Sequence, residues 1–357
     1  MREGWEYKKL GDSCVIEYGT RVVQKKDGGT IYPVYGGGGE TFRMDKYNRE
    51  NCLVVARFAM SRTCVRYVTG KFFLNDSGLS INAGKELLQS YLNHHILHLN
   101  DDIYNLGKGA AQRNLDVNSF RNLIIAIPPL STQLSIISEL DKINELIRLK
   151  KEQLKDYDNL AQSIFYEMFG DEKYERRKLK DIVKVKSGQV SPLEDPYCDM
   201  VHVGPANIES NTGRLINLKT AKEENLISGK YLFDSSMVLY SKIRPNLNKV
   251  TIADFEGICS ADMYPLIPSK SIDKKFLLFI LKQKEFLSYA IANSGRANIP
   301  KINREALLEY STILPPLSLQ LQFAERLALI EKQKEQISSI IKDLETLLAS
   351  RMQYWFD

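Results

Sequence analysis

The sequence predicts an α+β protein in which two similar α/β domains are joined by an antiparallel two-helix coiled coil, as a pseudo-two-fold internal repeat. Three observations support this class. One segment occurs twice in register, 187 residues apart. Each copy continues into a long stretch without Gly or Pro, and each is preceded by short β-type segments in the same order. We therefore expect the two α/β domains at 1–127 and 171–313 and the two long helices at 128–170 and 314–357.

The repeated segment contains a Pro-Pro pair followed by Leu, Ser and, two positions later, Gln. Its copies are residues 127–134 (IPPLSTQL) and 314–321 (LPPLSLQL). Pro-Pro blocks extension of the preceding element, and Ser131 and Ser318 are placed to cap a helix. No Gly or Pro then follows for about ten turns, so each copy predicts one long helix.

Apolar residues recur along both helices in alternating steps of four and three, which is the spacing of a coiled-coil seam. An amphipathic helix packed on a globular core is the alternative. Lys150 and Lys334 fall in the seam, where they either fix the register or extend their amines to solvent, and we favour the second. The seam positions are Ile136, Leu140, Ile143, Ile147, Lys150, Leu154, Tyr157, Ala161, Ile164 and Met168, with Phe323, Leu327, Ile330, Lys334, Ile337, Ile341, Leu344, Leu348, Arg351 and Trp355.

Further apolar residues lie outside the seam, and two paired helices have little core of their own in which to bury them. Such flanks suggest docking surfaces for partner proteins. The candidates are Leu146, Leu149, Leu160, Phe165, Leu329, Ile340 and Leu347.

Composition indicates an ordinary soluble protein, with 43% hydrophobic and 26% charged residues. The five cysteines show no CxxC spacing, no apolar run could span a bilayer, and Met1–Trp5 is not a signal peptide, so we expect a cytoplasmic location without membrane contact. The net charge is +5, and each globular half carries an excess of four positive charges. This distribution is a mild indication of a polyanionic partner.

The sequence lacks the patterns of a catalytic or metal site. The glycine run Gly36–Gly39 lets the backbone approach a ligand closely, but it has neither a dinucleotide nor a P-loop pattern. His94, His95 and His98 have no complementary metal ligands, and helix positions without a metal are the favoured interpretation. No nucleophile motif is present. We therefore expect a non-catalytic binding protein with no metal or cofactor of its own.

Three features occur in the same order in both halves. They are the opening Trp5–Asp12 with Gly19 after it, the polar loop Gly109–Leu115, and the Pro-Pro-Leu-Ser-x-Gln-Leu helix start. Together they make the whole chain resemble the specificity subunits of type I DNA restriction-modification systems. The chain departs from the family pattern at Thr132 and Leu319, where Glu is frequent, and in its second polar loop, which has Asn298-Ile299.

The resemblance implies two target-recognition domains, each recognising one half of a split double-stranded DNA site, with the helices setting the gap. It also implies two modification (methyltransferase) subunits as partners, which bind S-adenosylmethionine, and motor-nuclease restriction subunits as further partners. A coiled-coil scaffold or adaptor without DNA binding is the competing interpretation. The candidate DNA-binding residues are Tyr35, Gly36, Gly37, Gly38, Gly39, Arg43, Arg57, Arg62, Lys108, Gln112, Arg113, Gln189, His202, Asn207, Lys242, Arg244, Asn246, Arg296 and Asn298.

Overall fold

The computed structural model describes residues 2–110, 112–170, 174–295 and 298–357. The chain forms two compact units. Unit 1 contains Met1–Leu154 and Ile337–Asp357, and unit 2 contains Lys155–Gln336. Each unit therefore combines one β-containing domain with part of both long helices.

The domain of unit 1 is built mainly on an antiparallel sheet. Its strands are β1 (Glu6–Lys9), β2 (Cys14–Tyr18), β3 (Tyr32–Tyr35), β4 (Glu40–Met44), β5 (Arg49–Ala56), β6 (Val65–Leu74), β7 (Gly78–Ala83), β8 (Gly107–Lys108), β9 (Asn114–Leu115) and β10 (Ile124–Ile127). Its helices are α1 (Leu10–Ser13), α2 (Gln24–Asp27), α3 (Gln89–His98), α4 (Asn100–Asn105), α5 (Val117–Arg121) and the long α6 (Leu130–Phe169). The main sheet has the order β2-β7-β5-β6-β3-β4, with β3 parallel to β6 and the other neighbours antiparallel.

The domain of unit 2 contains shorter strands arranged in two larger sheets. Its strands are β11 (Arg176–Lys178), β12 (Val183–Val185), β13 (Gln189–Val190), β14 (Val201–Val203), β15 (Lys219–Thr220), β16 (Lys230–Phe233), β17 (Val238–Ser241), β18 (Val250–Thr251), β19 (Gly257–Cys259), β20 (Met263–Pro268) and β21 (Ser311–Ile313). Its helices are α7 (Leu179–Ile182), α8 (Lys274–Lys282), α9 (Lys284–Ala292), α10 (Arg304–Glu309) and the long α11 (Leu317–Phe356), with 3-10 turns at Tyr197–Asp199, Pro205–Asn207 and Pro245–Leu247. The sheet orders are β12-β20-β17-β18 and β13-β16-β19-β14-β15.

The internal repeat extends to strand pairing. The order β12-β20-β17-β18 repeats β2-β7-β5-β6, and the antiparallel pair β11–β21 repeats β1–β10. At the start of the short helix that follows each first strand, the Leu10 amide donates to the Leu123 carbonyl at 2.7 Å, and the Leu179 amide donates to the Tyr310 carbonyl at 2.9 Å. Both leucines are fully buried. The two domains are thus copies of one framework, as the sequence predicts.

The seam residues of both long helices are all buried or half-buried. In unit 1 the helices run antiparallel, because Arg351 contacts Glu139 and Lys151 lies 2.8 Å from Glu345. In unit 2 the Lys334 amine lies 2.8 Å from the carboxylate of Asp158 on the other helix. The Lys150 amine donates to Gln153. Both seam lysines thus direct their amines to polar partners, as expected for side chains that leave the apolar stripe.

A fully buried glutamine fixes the start of each long helix. The Gln133 side chain accepts from the Leu88 amide at 2.8 Å and donates to the carbonyls of Glu86 and Pro128 at 2.8 and 2.9 Å. These bonds join the helix start to the segment that precedes α3.

The second glutamine makes the matching bonds in unit 2. The Gln320 side chain accepts from the Asp273 amide at 2.9 Å and donates to the carbonyls of Ser271 and Pro315 at 3.0 and 2.7 Å. The expected caps, Ser131 and Ser318, are instead exposed residues within the first turn, because the helices begin at Leu130 and Leu317. The glutamines, rather than the serines, hold the helix starts.

The histidine cluster packs the end of α11 against α3 within unit 1. The buried His95 ring stacks on Phe356 with centroids 4.7 Å apart. His94 bonds Asp141 at 2.8 Å, and His98 bonds Asp357 at 2.7 Å. The His94 and His98 side chains therefore serve helix packing in this structure.

The five cysteines are free thiols. Burial raises the pKa of Cys14 and Cys259 to about 12, which keeps these thiols protonated and poorly nucleophilic. None of the helices in the described part of the chain has the length and apolarity needed to cross a bilayer.

Replacing Gln133 with Ala should destabilise unit 1 by about 2 to 3 kcal/mol, because a buried amide and two carbonyls lose their partners. Both tryptophans, Trp5 and Trp355, belong to unit 1, so urea unfolding followed by tryptophan fluorescence reports on that unit. Gln320→Ala is the matched control and should shift the circular-dichroism transition more than the fluorescence transition. Equal fluorescence shifts for both variants would contradict separate helix anchors.

Burial lowers the pKa of His95 to about 3, from an ordinary value of 6.5. Above pH 6.5 the residue is neutral in both states. Below that pH His95 binds a proton in the unfolded chain but not in the native chain. The free energy of unfolding should therefore fall by about 1.4 kcal/mol per pH unit. His95→Leu should remove this component of the pH dependence between pH 6.5 and 4.5, measured by fluorescence-detected urea unfolding. Ile96→Val, also buried, should instead lower stability equally at each pH, and an unchanged slope in His95→Leu would refute the assignment.

Candidate nucleic-acid interface

Two loops that are distant in sequence form one surface of unit 1. Residues 57–63 follow β5, and β8 (Gly107–Lys108) pairs with β9 (Asn114–Leu115) in the second loop. The Leu115 amide donates to the Arg57 carbonyl at 2.8 Å, and the Met60 amide donates to the Arg113 carbonyl at 2.9 Å. Ala59 has a left-handed backbone (φ +49°), and its amide is held by the Asn114 side chain. A non-glycine residue in this region is strained, and such strain concentrates at functional sites.

The glycine run joins the same surface, but not in the way the sequence suggests. A side chain at Gly37 would come within 2.6 Å of the Phe58 carbonyl, and one at Gly36 would collide with Ser77. These two glycines are buried, so the atoms that they approach closely belong to the domain itself and not to a ligand. Gly38 and Gly39 are exposed with open space around them, so only they remain available to a ligand.

Four arginines converge on this surface, and none forms an ion pair with a carboxylate of the described residues. The Arg57 guanidinium contacts the rings of Tyr18 and Phe58, 4.9 and 4.5 Å from their centroids. The others are Arg62 and Arg113, which both lie over the Tyr104 ring, and Arg66, which donates to the carbonyls of Gly37 and Thr63.

Several other arginines of the described chain do form ion pairs with carboxylates, as in Arg49–Glu17 and Arg214–Glu209. Since the four interface arginines keep an uncompensated charge, the surface they form is suited to an anion.

The remaining candidates of unit 1 occupy varied settings. Lys108 is exposed and bonded to Asp116, whose pKa this contact lowers to about 2. Arg43 pairs with Glu40 at 3.0 Å. Tyr35 is half-buried with its ring edge-on to Phe72, and Gln112 is exposed.

Unit 2 repeats the pairing between the two loops. The Ile302 amide donates to the Lys242 carbonyl at 3.0 Å, and the Arg244 amide donates to the Pro300 carbonyl at 2.7 Å. The partners of the polar loop, Ile302 and Pro300, follow Leu115 and Arg113 by the repeat distance of 187 residues. Arg244 also has a left-handed backbone, with φ +48°. Both domains therefore bring the same two loops together by the same backbone hydrogen bonds.

The structure brings part of the predicted set of unit 2 to this loop pair. Arg244, Asn246 and Asn298 are exposed. The Lys242 amine is half-buried and donates to the Ala261 carbonyl, with Asp262 3.5 Å away. Gln189 is exposed on β13 in the other sheet, and Arg296 lies outside the described residues.

His202 and Asn207 are corrections, because both are buried within unit 2. His202 bonds Glu224 at 2.7 Å, and burial lowers its pKa despite that carboxylate. The Asn207 side chain accepts from the Gly204 amide at 2.9 Å and donates to the Asn217 carbonyl at 3.1 Å. Their polar groups hold the domain together and do not face a ligand.

Sequence reasoning missed the aromatic partners Tyr18, Phe58 and Tyr104, and it missed Arg66. Phe58 and Tyr18 are 37% and 47% exposed. One signal was present, because Phe58 directly follows Arg57 where the apolar strand β5 ends. An arginine beside an exposed aromatic residue is a common element of nucleic-acid surfaces.

Most of the predicted partner-binding residues on the helices are exposed. In unit 1 these are Leu146, Leu149, Ile340 and Leu347, and in unit 2 they are Leu160 and Leu329, with exposed fractions of 41–67%. Phe165 is a correction. Its ring lies 5.1 Å from that of Phe279 and 5.8 Å from that of Phe323, so it packs into the aromatic core of unit 2.

Comparison with known proteins gives a consistent result. A model of the type I restriction modification DNA specificity domain matches residues 2–156 and again residues 171–346. The EcoDI specificity subunit of Escherichia coli is 38% identical over 149 residues, which cover 42% of this chain and 33% of that protein. The MjaVIII specificity subunit of Methanocaldococcus jannaschii is 25% identical over 285 residues, or 68% of this chain and 64% of that protein. The matched segments thus span less than two thirds of these relatives.

Solved structures share the fold across the chain. A type I restriction-modification S subunit from M. genitalium has a TM-score of 0.59 at 15% identity, covering 99% of this chain and 96% of that one. A chain from a type I restriction-modification structure concerned with complex assembly and conformational transition has a TM-score of 0.56 at 17% identity, covering 99% and 97%.

The two domain matches cover most of the chain, and they coincide with the two halves of the internal repeat. The resemblance inferred from the sequence is therefore confirmed, and the family is a non-catalytic one. This chain belongs to the family of type I restriction-modification specificity subunits and carries two copies of its DNA specificity domain.

Proposed function

We propose that this chain is the DNA sequence-recognition subunit of a type I restriction-modification complex, in which each domain recognises one half of a bipartite site. The observation that carries the proposal is the repeated loop pair. The bonds Leu115–Arg57 and Ile302–Lys242 present equivalent loops with unrelated side chains in the two domains. One framework with two different surfaces is suited to two different half-sites.

The charge of these loops supports duplex DNA as the ligand. Exposed cations such as Arg62 and Arg244 can contact phosphates, which gives salt-dependent affinity without base selectivity. Amide side chains such as Asn246 and Asn298 can form hydrogen bonds to base edges. Under this proposal the two long helices set the length of the unread gap, because both domains must meet the same face of the duplex.

The exposed apolar residues of the helices support partner binding. In unit 1, Ile340 and Leu347 are seven residues apart on α11, so they lie on one face of that helix. Exposed leucine and isoleucine at helical spacing form a docking surface for another protein. We propose two modification subunits as the partners, with S-adenosylmethionine bound by them and not by this chain. Motor-nuclease restriction subunits would join the same assembly.

Methylome sequencing of cells that express this chain with its modification subunit should reveal a split methylated motif that disappears without the chain. Exchanging residues 36–43 for the corresponding loop of another family member should change one half of that motif only. The exposed part of this segment, including Gly38 and Gly39, belongs to unit 1 alone. Absence of any chain-dependent split motif would favour the scaffold interpretation, and a change in both halves would contradict one domain for each half-site.

The double substitution Leu149→Asp and Ile340→Asp should weaken assembly with the modification subunit at least tenfold, because each carboxylate would be desolvated at the interface. Analytical ultracentrifugation of the purified subunits measures this directly. Ile227→Asp is a control at an exposed apolar residue that lies on neither long helix. Unchanged assembly with normal folding of the double variant would place the docking surface elsewhere.

A further inference from the structure

We propose that Arg57 recognises a guanine in the half-site bound by unit 1, through paired hydrogen bonds to the O6 and N7 atoms in the major groove. This inference rests on the proposed function and adds to it the identity of one base and of the residue that selects it.

Two aromatic rings contact the Arg57 guanidinium, whose central carbon lies 4.9 Å from the centroid of Tyr18 and 4.5 Å from that of Phe58. Contact with two rings restricts the orientation of the guanidinium and still leaves N–H groups available to donate. Both rings are partly exposed, so this contact lies at the surface and not in the core.

Arg57 has few hydrogen-bond partners within the protein. Arg57 donates one side-chain hydrogen bond, from Nη1 to the Asp76 carbonyl, and it is long at 3.4 Å. No carboxylate of the described residues pairs with it. By contrast, the Arg66 guanidinium donates to two carbonyls at 3.0 Å. A half-buried cation with free donors needs acceptors from a ligand.

The planar shape of the guanidinium favours a particular kind of acceptor. A phosphate requires only positive charge, which the exposed Arg62 of the same loop supplies. The guanidinium has two parallel N–H groups that can donate to two acceptors in one plane. Guanine presents such a pair, O6 and N7, in the major groove. Preorganisation by the two rings reduces the entropy that is lost when the fork meets the base.

The backbone position of Arg57 supports a role in specificity. Its carbonyl accepts from Leu115 in the same way as the Lys242 carbonyl accepts from Ile302 in unit 2. The Lys242 amine, however, donates to the Ala261 carbonyl and has Asp262 nearby. The same framework position thus carries a planar guanidinium with one long hydrogen bond in unit 1 and an amine bonded within the domain in unit 2. This difference lets the two domains select different bases.

The test is methylome sequencing with Arg57→Lys, a variant that keeps the charge but loses the planar fork. We expect at least a tenfold loss of discrimination at one guanine in one half of the motif, with the other half unchanged. Retention of the other half shows that the variant folds and assembles. Arg148→Lys, on an exposed face of α6 where the arginine pairs with Glu145 and Glu152, is the matched control and should leave both halves unchanged.

The outcomes separate this inference from the proposed function. If the wild-type chain directs no split motif, the proposed function fails. A split motif that Arg57→Lys leaves unaltered, or a relaxed position that is not a guanine, would overturn the assignment of Arg57 alone. If Arg57→Lys abolishes methylation altogether, Arg57→Gln and Phe58→Leu are tested by binding of the purified protein to the wild-type site and to a site with that guanine replaced. Equal preference for guanine in Arg57→Gln and wild type would likewise reject the assignment.

Discussion

The buried amides of Gln133 and Gln320 are the interaction on which the arrangement of each unit depends. Each side chain satisfies one backbone amide and two carbonyls at the point where a long helix leaves its domain. A buried unpaired polar group costs more than a hydrogen bond contributes, so the three bonds leave one low-energy geometry. The direction of each helix relative to its own domain is therefore specified by hydrogen bonding as well as by apolar packing.

Basic side chains are paired with carboxylates in some parts of the described chain and lack such partners in another. At the helix seam of unit 2 the Lys334 amine pairs with the Asp158 carboxylate. On the loop surface of unit 1, arginines contact rings and backbone carbonyls instead, and their charge stays uncompensated. An anionic ligand would supply the missing charge. Whether an arginine has a carboxylate partner depends on the side chains that surround it in the folded chain. The net charge of +5 therefore gives little indication of the unpaired arginines.

The histidines show how a feature that resembles a metal site can be a packing device. His95 stacks on Phe356, while the rings on either side of it bond carboxylates of the long helices. Phe169 precedes Phe356 by the repeat distance of 187 residues, and it packs on Phe276 and Phe323. The two long helices thus end in phenylalanines at the same repeat position, and different neighbouring side chains hold them in the two units.

The sequence by itself determined the repeat, the helix lengths and the seam, because these depend on local periodicity and on residues in fixed register. It also determined the family through the ordered motifs. Only the tertiary structure decided which candidate side chains are available, because burial depends on strands that meet from distant parts of the chain. Gly36 and Gly37 pack against the domain, His202 and Asn207 brace it, and Phe165 joins an aromatic core. The contact of Arg57 with Tyr18 and Phe58 arises in the same way, since β2 and β5 are brought together only through β7 in the folded sheet.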